Sequence, residues 1–106
     1  MTKQELIDKL SSLETQLNSK KVEDKFIGNV EFTKKRADLG TFIGKLENAV
    51  EAEIAQRLEN LSPQFSDAIK NLNDELNTLN NLQKILTTIA IILDLAIKIF
   101  TIGGQI

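Results

Sequence analysis

The 106-residue chain contains no cysteine, histidine, tyrosine or tryptophan. Without cysteine there is no disulfide framework, no thiolate metal site and no thiol nucleophile, a composition that fits a reducing compartment. Without histidine the chain lacks the commonest acid–base group near neutral pH and the commonest transition-metal ligand. It has a single proline, and its 13 basic and 15 acidic side chains leave a net charge of −2. No global field draws such a chain onto nucleic acid. The N-terminal stretch Met1 to Asp8 has no uninterrupted apolar run and contains acids, unlike a secretory or transit leader, so a cytoplasmic location is expected. The length suits one domain, residues 1–106, with one modest core.

Apolar residues recur at helical spacing along nearly the whole chain, which predicts an all-α fold. Thr2 and Glu5 have capping-box spacing, and Leu6, Leu10, Leu13 and Leu17 follow at 4-3-4 intervals on one stripe. These residues predict a first helix over about 3–19, ended by the polar run Asn18 to Lys21. Leu61-Ser62-Pro63 has the form of a helix start, with Ser as cap and Pro in the first turn. A turn is therefore expected at residue 62, between helices at about 22–61 and 63–102. The apolar positions on either side pair with sums of 126: Ile54 with Leu72, Val50 with Leu76, Ala37 with Ile89 and Phe26 with Phe100. That register predicts a long antiparallel αα-hairpin with coiled-coil character. Phe26 to Phe32 is the doubtful stretch, because Gly28 weakens a helix and Val30 and Phe32 alternate as in a strand.

Residues 85–102 form the most apolar segment, with only Asp94 and Lys98 charged. Their length is marginal for a bilayer, and a membrane-active or tail-anchored protein inserting this helix is the alternative reading. Asp94 is costly in hydrocarbon, and Lys84, Thr87, Asp94, Lys98 and Thr101 gather with Ile91 on one narrow face. Two apolar seams remain: Leu86, Ile89, Leu93, Ala96 and Phe100, and Ile85, Thr88, Ile92, Leu95, Ile99 and Ile102. The first seam is assigned to the hairpin partner. The second is expected to lie under the N-terminal leucine stripe, which makes a three-helix base.

The rest of the hairpin would then be a two-helix arm with an uncovered seam. Leu46, Val50, Ile54, Leu58, Leu72, Leu76 and Leu79 are its candidate interaction residues. Self-association, most simply as a dimer, would cover them, and a helix from a partner protein is the other way to do so. The resulting expectation is a non-catalytic interaction or scaffold module without cofactor or metal. Other motifs read as structural. Gly40 and Gly44 in GxxxG spacing are expected to face the C-terminal helix with Ala37, and Lys34-Lys35-Arg36 reads as a solvated face beside Glu31 and Asp38. Glu47, Glu51 and Glu53 read as surface acids, since helical di-metal sites pair Glu with His. Asn71, Asn73, Asn77, Asn80 and Asn81 mark the hydrated side of the arm.

Overall fold

A computed structural model of the chain describes residues 1–100. These residues form five helices, α1 (Lys3–Leu17), α2 (Lys20–Lys25), α3 (Val30–Asn48), α4 (Glu51–Thr78) and α5 (Leu82–Phe100), and no strand. The all-α expectation holds. The parts of the predicted segments that reach Thr101 and Ile102 lie outside the described residues.

α1 begins as its sequence predicts. The Thr2 hydroxyl accepts the Glu5 N–H and the Glu5 carboxylate accepts the Thr2 N–H, closing the capping box. The bond from the Thr2 backbone holds the Glu5 carboxyl below the ordinary glutamate range. All four stripe leucines are buried. Their cover is different from that expected, however: α1 packs on α3 and α4 rather than along residues 85–102. Gly40 makes the close approach to α3, since a Cβ there would meet Glu14 Oε2 of α1 at 2.9 Å. It therefore faces α1 and not the C-terminal helix.

The turn expected at residue 62 is not there. α4 runs through Pro63, which lies exposed in its interior. An interior proline costs about 3 kcal/mol, through a lost hydrogen bond and a clash with the preceding turn. Downstream and upstream of it, Ile54, Leu58, Phe65, Ala68, Leu72 and Leu76 remain on one buried face. Each large apolar side chain so buried contributes roughly 1.5–3 kcal/mol, so continuity outweighs the break. Ser62 does not cap a helix start. Its hydroxyl donates to the Leu58 carbonyl at 2.7 Å, a back-bond that accommodates a bend. The 28 residues of α4 span about 40 Å between the first and last Cα at 1.5 Å per residue, comparable with the molecule's longest extent of 39 Å.

The two long predicted helices are each divided. The reversal after α4 falls at residues 79–81, where Leu79 takes the left-handed conformation (φ 51°) and donates its N–H to the Glu75 carbonyl at 2.9 Å. Asn81 starts α5, its side chain accepting the Lys84 N–H at 3.0 Å. α5 then returns antiparallel to α4, with Thr88 beside Glu75 near the turn and Arg57 beside Ile99 at the far end. Upstream, α2 and α3 are separated by Gly28 at φ 77°, and Asn29 caps α3 by accepting the Phe32 N–H at 2.8 Å. α3 ends at Asn48, and Ala49 and Val50 turn the chain into α4 in extended backbone. The Lys3 ammonium donates to the Ala49 carbonyl at 3.0 Å and closes this corner. Glu51 and Glu53 occupy the first turn of α4, where Val50 supplies no side-chain cap. Negative charge is favourable at such a helix start.

The continuous α4 has a direct test. Pro63→Ala restores the missing helix bond without emptying the core, so the midpoint of urea unfolding should rise, by an equivalent of about 1–3 kcal/mol. A fall in stability would mean that Pro63 initiates a helix after a turn.

Candidate functional site

Five of the seven expected interaction residues belong to the chain's own core. Leu46, Ile54, Leu58, Leu72 and Leu76 are all buried, and Leu79 is half-buried against the core at the α4–α5 turn. The expected open arm does not form, because α1 and α5 cover the α4 seam within one chain. Val50 is the exception, 57% exposed at the α3–α4 corner.

What the fold leaves uncovered lies on the other side of α5. Its second seam is buried: Ile85, Thr88, Ile92, Leu95 and Ile99 are inside, with Thr88 touching α4. The first seam turns toward α3, where Phe100 meets Phe42 edge-on at 5.8 Å and Phe42 lies parallel to Phe65 of α4 at 6.3 Å. Offset and edge-on pairs of this kind add to simple area burial. Leu86, Ile89 and Ala96 of this seam are buried, while Leu93 and Phe100 are only half-covered. Together with Ile97, 61% exposed, they make a stripe at i, i+4 and i+7.

This stripe is one wall of an open cleft of about 400 Å³. Its other wall is α3, with Asp38, Thr41 and Lys45 along the rim above Phe42. A second hollow of about 680 Å³ shares Thr41, Lys45 and Phe100 and continues past Val50 to Arg57. The Arg57 guanidinium donates to the Ile99 carbonyl and joins the end of α5 to the first half of α4. A cation is well placed at a helix C-terminus. Val50, Ile97 and Phe100 thus border one groove of mixed apolar and polar lining, its two hollows joined at Thr41, Lys45 and Phe100.

Leu93, Ala96, Ile97 and Phe100 of α5 and Phe42 of α3 supply the groove's apolar lining. Its charged lining groups are Asp38, Lys45, Glu53 and Arg57; Asp38 is taken by Lys34 at 3.0 Å and Arg57 donates to the Ile99 carbonyl. Among the described residues no three potential ligands gather where they could hold a metal ion, and Glu51 and Glu53 serve the α4 start instead. The basic triplet is likewise engaged: Lys34 with Asp38, Lys35 with Glu31 at 3.8 Å and Arg36 with Glu23 at 2.9 Å. Of the asparagine run, Asn73 bonds Gln16 of α1 at 2.8 Å and Asn81 caps α5. Ile97 fell outside both seams read from the sequence, and that leftover was the available signal for the groove.

The α4–α5 interface also encloses one polar pair. The buried Thr88 hydroxyl lies 3.1 Å from Glu75 Oε2 and 2.9 Å from the Lys84 carbonyl, while Glu75 Oε1 is buried and has no hydrogen-bond partner among the described residues. The fold and its groove define a small all-α helical bundle with an open apolar flank. Comparison with known proteins adds no name to that class, since no family model, curated protein or solved structure matches the chain.

The polar pair makes a second stability test. Thr88→Val removes a donor from a partly enclosed carboxylate and should cost about 1–3 kcal/mol. Combining it with Glu75→Leu should return most of that loss in a double-mutant cycle of urea unfolding. Additive effects of the two substitutions would show that the pair is not coupled.

Proposed function

We propose that the chain is a non-catalytic helical interaction module that self-associates, most simply as a dimer, through the groove between α3 and α5. The observation that carries this reading is Ile97, 61% exposed between the half-covered Leu93 and Phe100 on a single helical stripe. Water-exposed apolar surface arranged as a stripe beside a groove is the arrangement by which helices dock. In a two-fold pair the α5 stripe of each copy meets the same surface of the other, so one patch provides both halves of the contact. Leu46, Ile54, Leu58, Leu72 and Leu76 serve this function indirectly, by fixing the walls, and Val50 borders the groove. A helix from a different protein has the same chemistry available. Within this proposal the chain works in the cytoplasm and needs neither cofactor nor nucleic acid.

The alternative, insertion of residues 85–102 into a membrane, has less support. It would draw Ile85, Ile89, Ile92 and Ile99 out of the core, where each is fully buried. Among the described residues no helix is long and apolar enough to cross a membrane.

Sedimentation equilibrium tests the proposal. The unaltered chain should form a reversible dimer at micromolar concentration, and Ile97→Lys should sediment as a folded monomer, because two buried like charges would oppose the pair. A monomeric unaltered chain at that concentration contradicts self-association. A dimer indifferent to Ile97→Lys contradicts the groove.

A further inference from the structure

Among the described residues, the most exposed large apolar side chains lie elsewhere. Ile27 and Val30, each 80% exposed, flank Gly28 at the corner between α2 and α3. The corner is built to hold them there. Gly28 takes φ 77°, the Asn29 N–H donates to the Phe26 carbonyl at 2.9 Å, and Asn29 caps α3. Beneath, the buried rings of Phe26 and Phe32 stack with centroids 4.1 Å apart, and Arg36 lies 5.3 Å above the Phe32 centroid while pairing with Glu23. The backbone that presents the two aliphatic tips is therefore braced on both sides.

The charge around this corner is distinct from the rest of the chain. Residues 20–38, which include Asp38 paired with Lys34, hold six basic side chains and four acidic ones, a local charge of +2 in a chain whose total is −2, which leaves −4 elsewhere. Lys21 and Lys25 lie four residues apart on α2, both exposed and, among the described residues, outside any ion pair. An anionic surface would attract this end and repel the remainder, orienting the molecule corner first. A fluid interface can deform around side chains that protrude to this extent. Lysines beside them keep their charge at headgroup level while their stems lie against apolar surface.

We propose that the α2–α3 corner docks on an anionic lipid surface, with Ile27 and Val30 entering the interface and Lys21 and Lys25 contacting the headgroups. The contact is peripheral and leaves α5 in the core, so it stands apart from self-association through the groove.

Flotation of the full chain with vesicles tests it. The protein should rise with vesicles of equal parts phosphatidylcholine and phosphatidylglycerol, stay behind with phosphatidylcholine alone, and bind less as salt is raised. Ile27→Ser with Val30→Ser should lower partitioning by about tenfold or more, and serine at Lys21 and Lys25 should weaken it about fivefold for each lysine. Gln56→Asp, at an exposed position on α4 outside both the groove and the corner, should leave it unchanged. Because the chain has no tryptophan, Ile27→Trp supplies a sole reporter whose emission should shift to the blue on the anionic vesicles. Failure to float with them, equal flotation with neutral vesicles, or an unshifted emission from the Ile27→Trp variant would overturn the proposal. So would loss of binding through Gln56→Asp, or capture of a polyglutamate peptide in place of vesicles.

Discussion

α5 is apolar around most of its circumference, and a helix of that kind must be enclosed before the chain is stable in water. The other helices are arranged about this requirement. α4 lies antiparallel along the seam of Ile85, Thr88, Ile92, Leu95 and Ile99, and α3 takes the adjoining seam through Phe42. α1 adds its leucine stripe to α3 and α4 from outside. Two flanking helices, α3 and α4, cannot cover every apolar side of α5. The Leu93, Ile97 and Phe100 stripe is what remains, and the groove follows from the same constraint as the core.

Enclosing α5 along its whole length requires a neighbour as long as itself on an unbroken face. This explains two local conformations that are unfavourable alone. Pro63 stays within α4 because apolar residues on both sides of it are needed for the same seam. Leu79 adopts a left-handed conformation, which costs a non-glycine residue roughly 1–2 kcal/mol, because the chain must reverse there for α5 to return along α4. Its half-buried side chain packs on the core and offsets part of that cost.

The all-α class, α1 with its cap and its four leucines, and both seams of α5 were legible from periodicity and capping chemistry. The pairing of helices was not. Leu58 and Phe65 are seven residues apart, so the seam passes Pro63 without a phase change, as one helix should. A regular heptad is close to its own mirror image, and positions reflected about residue 63 sum to 126 whether the chain folds there or continues. The constant sum thus had no power to tell hairpin from helix, and Ser62-Pro63 tipped the reading toward a turn. The real turn carried fainter signs: Asn80 and Asn81, residues suited to turns and helix caps, just before the polar-to-apolar switch at residue 85. The Ala49–Val50 corner has neither Gly nor Pro and no change of helical phase between Ile43 and Ile54. Contacts across the fold, such as Lys3 to the Ala49 carbonyl, determine it. The candidate site moved with the topology, because Leu46, Ile54, Leu58, Leu72 and Leu76 are exposed only if the arm is open.

The path of α4 through Pro63 decides between a closed bundle and an open arm, and hence where surface is left for partners. Spin labels at the exposed positions Gln56 and Lys70 measure it most directly. Along one helix these positions are about 21 Å apart in the backbone, and pulsed dipolar spectroscopy should report a narrow distribution about that separation. In a hairpin turning at residue 62 they would face each other at about 10 Å, the spacing of packed helices, and that result would contradict the account.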